Sequence, residues 1–408
     1  MRILVATDQW FPDRMGGVAR VATDTARGWA ARGHEVVVIA PRHDDAPEET
    51  VDDRLRVLRV LPRGRLPQTL TDPVATRRHA SRLRERTFDV VVAHSATSAR
   101  GLLAAGFDAP FVYVFHADAA KEARYLRGKI KLGSDWFATV AFEGRLRRLT
   151  QQAIRAASPA IVLSNFSREV LSENDPAAAD RAVLVSAGVD TTFFTPAGRD
   201  EARAQLGIDT GTRLVFTVRR LEPRMGIENL LAATALLDDV PDLRVVVVGS
   251  GRAAGLSALR DRLGVASRID LVGRVTDDEL ALWHRAADLF VLPTVAYEGF
   301  GLATAEALAS GTPVVGTPVG ATPELLAPLE PRLIARDAEA PGLAEAIRTG
   351  LRLATPAFRA RCRDYALATL SWEAVLPSWE RVIENAVQRH LLRLEAAPAA
   401  KLHAVEDP

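Results

Sequence analysis

The chain has 408 residues, of which 48% are hydrophobic and 25% are charged, and its formal net charge at pH 7 is +1. This length is sufficient for two domains with cores of their own, and the near-neutral charge gives no global field that would favour nucleic acid. The single cysteine, Cys362, excludes an internal disulfide and a cysteine-rich metal site. A strand pattern begins directly after Met1, and no apolar run approaches the length of a membrane span. We therefore expect no signal peptide and a cytoplasmic protein.

Short apolar runs alternate with helical patterns through the first half of the chain. The runs lie at residues 3–7, 36–39, 57–60, 90–93, 111–115 and 161–163. They are continuously apolar, which is typical of parallel strands buried on both faces. The glycine pair Gly16-Gly17 precedes a helical pattern over residues 18–31. This alternation predicts a doubly wound α/β domain over residues 1–190.

The pattern breaks at a turn-rich segment near residues 186–200, which predicts a linker. A second alternation follows, with strand patterns at 214–218, 245–248, 269–272, 289–292 and 314–315 and helical patterns at about 227–237, 253–263 and 277–286. It predicts a second Rossmann-like domain over residues 191–370. Because ligands bind at the carboxyl ends of parallel strands, we expect the two domains to face a central cleft. A terminal helix over 371–395 and a disordered tail over 396–408 complete the predicted organisation.

The most informative stretch runs from Glu298 to Glu306, where two carboxylates stand eight positions apart. Gly299-Phe300-Gly301 follows the first carboxylate, between the strand pattern at 289–292 and a helical pattern over 302–310. Amides at a glycine-flanked helix N-terminus suit phosphate, and ionised carboxylates accept hydrogen bonds from sugar hydroxyls. A helix-terminal glutamate followed by a solvated one is the alternative at this point.

Glycines and histidines follow other predicted strands. Gly16-Gly17 and Gly249 allow a backbone to approach a ligand, although a tight turn explains them as well. They fit neither a dinucleotide fingerprint nor a Walker loop. His94 and His116 each follow a predicted strand, where functional residues collect, and a structural histidine is an equal alternative.

Arg220 ends the first predicted strand of the second domain. A guanidinium there can grip a diphosphate with two hydrogen bonds, whereas a surface turn with incidental arginines is the alternative. The eight histidines are scattered, and no Asp-x-Asp follows a strand, so the sequence predicts no metal site.

Together these features resemble the family 4 retaining glycosyltransferases of the GT-B fold, over essentially the whole chain. Glu298 to Glu306 is similar to the family's Glu-x7-Glu motif, the most specific part of the resemblance. Residues 220–228 are similar to its Gly-Arg-Leu…Lys-Gly stretch, and Gly188-Val189-Asp190 resembles its interdomain signature. The chain departs from the pattern twice. Arg219 replaces the family's glycine, and Met225 stands in place of its diphosphate lysine.

The resemblance implies a metal-independent transfer with retained configuration, from a UDP- or GDP-sugar donor to a hydroxyl acceptor. The donor is a co-substrate, and no cofactor is implied. In this interpretation Glu306 binds the ribose, Glu298 holds the donor sugar, and Arg220 neutralises the diphosphate. Gly16-Gly17 assist from the other domain, and His116 lies near the reacting centre. The remaining donor-binding candidates are Arg224, Gly249, Arg274, Gly299, Phe300, Gly301 and Leu302.

Two other functions and several acceptors stay open. Methionine cannot pair with phosphate, so Arg224 is a candidate replacement for the lysine lost at Met225. The same loss favours a non-catalytic nucleotide-sugar-binding protein, and a sugar-nucleotide epimerase on a similar scaffold is a second alternative. The basic-aromatic residues 127–131 and 136–137 are compatible with peripheral membrane contact or with a core-facing helix that has basic flanks. A natural product, a polysaccharide and a lipid carrier all remain acceptor candidates.

Overall fold

The computed structural model describes residues 1–13, 16–42, 46–61, 68–84, 86–118, 121 and 134–403. The chain forms two compact units. The N-terminal unit comprises Met1–Ser186 and the residues from Leu376 onward, and the central unit comprises Ala187–Val375. The chain therefore leaves the N-terminal unit after Ser186 and returns to it at Leu376, close to the predicted changes at 190/191 and 370/371.

The described part of the N-terminal unit contains one sheet flanked by helices. Its strands are β1 (Arg2–Ala6), β2 (Glu35–Pro41), β3 (Glu49–Asp52), β4 (Leu55–Leu61), β5 (Val90–Ala93), β6 (Phe111–Phe115), β7 (Ala160–Val162) and β8 (Val183–Leu184). Its first six helices are α1 (Gly17–Ala31), α2 (Gln68–Arg82), α3 (Ala96–Ala105), α4 (Ser134–Ala156), α5 (Asn165–Asn174) and α6 (Pro176–Arg181). The strand order is β3-β4-β2-β1-β5-β6-β7-β8, and the pairs are parallel except β3 with β4.

The central unit has a parallel sheet in the order β11-β10-β9-β12-β13, formed by β9 (Arg213–Val218), β10 (Leu243–Val248), β11 (Ile269–Gly273), β12 (Leu289–Leu292) and β13 (Val314–Gly316). Its helices are α7 (Arg199–Gln205), α8 (Ile227–Thr234), α9 (Ala253–Arg262), α10 (Asp277–Ala286), α11 (Leu302–Ala309), α12 (Thr322–Leu326), α13 (Ala340–Leu353) and α14 (Pro356–Thr369). Single 3-10 turns lie at Pro223–Met225 and Pro331–Leu333. The predicted α/β class with two parallel-sheet domains is confirmed.

The last helix, α15 (Trp372–His403), packs on α1 in the N-terminal unit. The rings of Trp29 and Trp379 meet edge to face with centroids 6.5 Å apart, and the Trp379 indole N–H donates to the Ser186 carbonyl at 2.9 Å. The helix continues through residues 396–403, where the sequence predicted a disordered tail, and residues 404–408 lie outside the described residues. The packing of this helix ties the end of the chain to the first unit.

Candidate functional site

The carboxyl ends of three neighbouring strands meet at one edge of the central sheet. The Gly249 N–H donates to the Gly273 carbonyl at 2.8 Å, and the Arg219 N–H donates to the Val248 carbonyl at 2.9 Å. Gly249 has a φ of 146°, and a Cβ there would lie 1.7 Å from the Arg219 carbonyl oxygen. Only glycine fits this close approach. The site predicted at Gly249 is therefore a tight strand-end turn beside Arg219.

The loop between β12 and α11 holds Glu298 in a buried position. Glu298 is 9% exposed, and its Oε2 accepts a hydrogen bond from the Thr294 hydroxyl at 3.0 Å. The Ala321 N–H donates to the Glu298 carbonyl at 2.8 Å, and the Thr317 hydroxyl donates to the Thr294 carbonyl at 2.5 Å. Gly320 allows this contact, because a Cβ there would lie 2.3 Å from the Glu298 carbonyl oxygen. The loop is thus fixed by the segment that follows β13.

Arg224 braces the same loop. Its side chain is buried, with the residue 6% exposed, and its Nη1 donates to the Tyr297 carbonyl at 3.1 Å. The Val295 N–H donates back to the Arg224 carbonyl at 2.9 Å. Tyr297 has a φ of 56°, a left-handed conformation that costs a non-glycine residue about 1–3 kcal/mol and persists only where its surroundings impose it. The guanidinium that the sequence offered as a replacement cation is therefore engaged with the loop backbone.

Arg219 reaches the carboxylate of Glu298. Its Nη2 lies 2.5 Å from Glu298 Oε2, 2.7 Å from Thr294 Oγ1 and 3.1 Å from Met225 Sδ. The Arg219 side chain is 9% exposed, and its Nε has no hydrogen-bond partner among the described residues. Sequence reasoning noted Arg219 as a departure from a glycine and did not include it among the site residues. The sequence feature that could have identified Arg219 is its position directly after a predicted strand, where functional residues collect.

Glu306 is buried one turn into α11. It is 6% exposed, and its Oε2 lies 3.5 Å from Nε2 of the fully buried His284. His284 packs among aromatic rings of the core, with Phe290 at a centroid distance of 5.3 Å. His284 was not predictable from the sequence, because nothing in the α10 pattern indicates that this helix meets a glutamate 22 positions further on.

The start of α11 is open to an anion. Gly301 occupies the N-cap with a φ of 94°, and no side chain caps the helix. The first helical residue is Leu302, and Phe300, two residues before it, is buried. The uncapped amides carry the positive end of the helix dipole, so a phosphate or another anion is stabilised there.

The two remaining basic candidates lie on the surface. The Arg220 side chain is 56% exposed, and its Nη1 lies 3.3 Å from Glu222 Oε1. Arg274 is exposed directly after β11. The structure thus brings Arg219, Arg224, Glu298 and Glu306 into the buried part of the site and leaves Arg220 and Arg274 at its edge.

The N-terminal unit contains a pair of histidines at its own strand ends. His94 follows β5 and His116 follows β6, and these strands are parallel neighbours. His94 Nδ1 lies 3.1 Å from His116 Nε2, and the rings stack with centroids 5.3 Å apart. Burial lowers the pKa of His116 to about 4, and burial together with the His116 charge lowers the pKa of His94 well below its usual value. Both rings are therefore neutral at pH 7.

The glycine pair lies where the first helix begins. Gly16 is the N-cap of α1 with a φ of 146°, and no side chain caps this helix. Gly17 is the first helical residue, so both predicted glycines belong to an open helix start.

Three further predictions concern membrane contact and metal. Residues 127–131 lie outside the described residues, and only the backbone of Trp136 and Phe137 is described. No helix in the described part of the chain is both long and apolar enough to span a membrane. The described residues include no group of three or more His, Cys, Asp and Glu side chains arranged to hold a metal ion.

Known sequence families match both units of the chain. The sequence model of the family described as Glycosyl transferases group 1 matches residues 198–368, and that of Glycosyltransferase Family 4 matches residues 15–193. A D-inositol 3-phosphate glycosyltransferase of Mycolicibacterium smegmatis is 31% identical over 399 residues, which cover 92% of this chain and 88% of that protein. Its counterpart in Corynebacterium aurimucosum is 32% identical, over 81% of this chain and 82% of that protein. The alignment with the Mycobacterium sp. (strain KMS) relative, 38% identical, is shorter and spans 40% of that protein and 42% of this chain.

Solved structures share the fold. Sucrose-phosphate synthase from Thermosynechococcus elongatus superposes with a TM-score of 0.78 at 22% identity, over 94% of this chain and 99% of that one. Anabaena HepE in complex with UDP superposes with a TM-score of 0.69 at 20% identity, over 94% of this chain and 100% of that one. Two parallel-sheet domains of this kind, together with the matching family models, define a glycosyltransferase of the GT-B type. The full-length relatives narrow the class further, and the chain belongs to the family 4 glycosyltransferases.

Proposed function

We propose that the protein is a retaining glycosyltransferase that transfers a sugar from a UDP- or GDP-sugar to a hydroxyl acceptor without a metal ion. The observation that carries the proposal is the pair of buried carboxylates, Glu298 and Glu306, on either side of the uncapped start of α11. Each carboxylate has a basic neighbour in the protein, Arg219 for Glu298 and His284 for Glu306, and a carboxylate can accept further hydrogen bonds. A nucleotide-sugar supplies hydroxyl donors for both carboxylates and a diphosphate for the helix start.

Each residue has a role that follows from its position. Glu306 binds the ribose hydroxyls, and Glu298 holds the hydroxyls of the donor sugar. The amides from Gly299 to Leu302 and the arginines at the end of β9 meet the diphosphate. Positive side chains and helix dipoles of this kind stabilise a leaving diphosphate in the way that a metal does in other transferases.

The proposed chemistry proceeds on one face of the sugar. The bond from the anomeric carbon to the diphosphate oxygen breaks, and a bond from that carbon to the acceptor oxygen forms on the same face. The acceptor proton passes to the leaving phosphate oxygen. His116, neutral because burial lowers its pKa to about 4, serves as a hydrogen-bonding group beside the donor sugar and carries no charge at pH 7.

Other solved proteins of this fold support the donor class. Anabaena HepE is described with UDP and with UDP-glucose, and starch synthase IV from Arabidopsis thaliana is described with ADP. The relatives' activity makes D-inositol 3-phosphate the first acceptor to test. Polysaccharide, natural-product and lipid-carrier hydroxyls complete the panel.

The test combines binding and turnover. A thermal-shift series with UDP, GDP, ADP and their sugars identifies the donor, because a ligand at 100 times its Kd raises the free energy of unfolding by about 2.7 kcal/mol. Turnover is then measured with that donor and the acceptor panel. Sugar transfer supports the proposal. Binding without any reaction favours a non-catalytic binding protein, conversion of the donor to its epimer favours an epimerase, and absence of nucleotide binding contradicts all three.

A further inference from the structure

Two departures from the family pattern meet in one contact. The family's glycine is Arg219 here, and its diphosphate lysine is Met225. The Arg219 Nη2 lies 3.1 Å from the Met225 sulfur. The Arg219 guanidinium therefore contacts the side chain at position 225, where the family has its lysine.

The contact makes the two replacements interdependent. A lysine at position 225 would bring its ammonium close to the Arg219 guanidinium, and like charges at such a distance repel. Methionine is flexible, polarisable and uncharged, so it packs against the guanidinium without this cost. Met225 is itself buried, which excludes water that would screen the repulsion.

Arg219 also has capacity to bind a further group. Its Nη2 donors face Glu298 and Thr294, whereas its Nε is buried and has no hydrogen-bond partner among the described residues. The Arg219 side chain is only 9% exposed, so a donor without a hydrogen-bond partner there destabilises the folded protein. This N–H is closed to solvent, so the guanidinium must turn for an anion to accept from it, and a phosphate oxygen suits a guanidinium fork.

We propose that Arg219 is the diphosphate-binding cation of this enzyme and that Arg219 and Met225 form an exchanged pair, with the charge moved from position 225 to position 219. The proposal rests on the nucleotide-sugar function proposed above. Arg219 contacts the diphosphate through its Nε edge and keeps the Glu298 carboxylate oriented through Nη2. Arg224 stays on the Tyr297 carbonyl and supports the loop.

The experiment moves the positive charge between positions 219 and 225 and measures the affinity for a nucleoside diphosphate. Calorimetry with the nucleoside diphosphate that stabilises the wild type, and with the matching nucleoside, is performed on Arg219→Gln, Met225→Lys and the double variant Arg219→Gly/Met225→Lys. Arg213→Gln is the matched control, because Arg213 is exposed at the opposite end of the same strand. Arg219→Lys tests whether charge alone is sufficient, and circular dichroism checks the fold of each variant.

The expected results separate charge from structure. Arg219→Gln lowers diphosphate affinity by roughly 10- to 100-fold and leaves nucleoside affinity within about threefold, because the nucleoside has no phosphate for Arg219 to bind and the pair lost with Glu298 concerns the donor-sugar carboxylate. Met225→Lys weakens diphosphate binding while Arg219 is present, and the double variant returns to within about threefold of wild type. The two positions are therefore strongly non-additive.

Three outcomes overturn the inference. One is unchanged diphosphate affinity in Arg219→Gln, which leaves the proposed function intact. Another is an equal loss for nucleoside and diphosphate, which makes Arg219 a structural support. A wild-type protein that binds no nucleoside diphosphate removes the proposed function and this inference together.

Discussion

At the residue scale, the candidate site consists of the ion pair between Arg219 and the loop residue Glu298, and of a second carboxylate, Glu306, in α11. Glu298 and Arg219 pair at 2.5 Å with both side chains largely buried. Removing one partner of a buried pair leaves an uncompensated charge, so substitutions here act on stability as well as on binding. Functional assays of these variants therefore need a measured free energy of unfolding beside them.

The two glutamates have distinguishable effects. Glu298→Gln keeps the side-chain size, so we expect strongly reduced sugar transfer with nearly unchanged nucleoside-diphosphate affinity. Glu306→Ala should weaken the binding of the nucleotide by about 1–3 kcal/mol, the contribution of a charged hydrogen bond. Kinetics and calorimetry on both variants test the roles, with Glu345→Gln on the exposed face of α13 as the control. The reverse pattern would exchange the two assignments.

Arg224 should behave as a loop support. Arg224→Ala removes the hydrogen bond to the Tyr297 carbonyl, and we expect a loss of about 1–3 kcal/mol in the free energy of unfolding. Urea denaturation measures the loss. Wild-type stability combined with a selective loss of diphosphate binding would instead make Arg224 the phosphate cation.

The histidine pair should make stability depend on pH. The pKa of His116 is about 4 in the folded protein, below its usual value of 6.5. Between these values the unfolded chain binds a proton that the folded protein does not, so stability falls as the pH falls through this window, by up to about 1.4 kcal/mol per unit. Well above pH 6.5 neither state is protonated, and His116 then contributes no slope.

Urea denaturation at pH 7 and pH 5 checks this dependence. The wild type should lose about 2 kcal/mol from this group between the two pH values. In His116→Gln the same acidification should cost less by that amount. Equal losses in both proteins would show that His116 titrates normally.

At the element scale, the start of α15 packs against Gly188, a position that leaves no room for a side chain. A Cβ on Gly188 would lie 2.3 Å from Cδ2 of Trp372, and the Val189 N–H donates to the Leu370 carbonyl at 2.8 Å. The crossing segment and the start of α15 therefore pack without room for a side chain. This contact joins the Gly188-Val189-Asp190 segment, which the family resemblance singled out, to the start of the predicted terminal helix.

Gly188→Ala should destabilise the protein. The added methyl forces the Trp372 ring to move, and we expect a cost of about 1–3 kcal/mol. Gly211→Ala is the matched control, because no atom lies within 4 Å of its added Cβ. Thermal unfolding of the two variants compares them, and equal melting temperatures would mean that the tryptophan moves freely.

The sequence predicted buried elements well and exposed ones poorly. The runs at 90–93 and 111–115 correspond to β5 and β6 residue for residue, because strands buried on both faces are continuously apolar. The strand Glu49–Asp52 was missed, since every residue in it is exposed and it pairs antiparallel at the sheet edge. A tail of small residues likewise gave no sign that α15 continues to His403.

The burial and placement of the candidate site's carboxylates followed more directly from the sequence than those of its basic residues, and the roles of both stay predictions. Motif spacing located Glu298 and Glu306, but successive residues of an extended chain point to opposite sides. Spacing therefore does not decide between Arg219 and Arg220, and the structure buries the first and exposes the second. His94 contacts His116 because β5 and β6 are neighbouring strands. The sequence predicted only that each histidine follows a strand, and not that the two strands are adjacent.

At the scale of the whole molecule, two α/β units are joined by two chain crossings. The proposed donor contacts through Arg219, Glu298, Glu306 and the α11 start all belong to the central unit, whereas His116 and the α1 start belong to the N-terminal unit. The family identifies the chain as a glycosyltransferase. The residues that select the nucleotide base, the donor sugar and the acceptor have no fixed spacing in the sequence. The identities of donor and acceptor must therefore be determined by assay.

The most direct test of the account is the anomeric configuration of the product. The reaction is followed by proton NMR with the identified nucleotide-sugar and acceptor, in the presence of excess chelator. The account predicts continued turnover and a first-formed product with the donor's configuration, while Glu298→Gln shows strongly reduced turnover under the same conditions. An inverted product, or loss of wild-type activity on chelation that added metal restores, would contradict it.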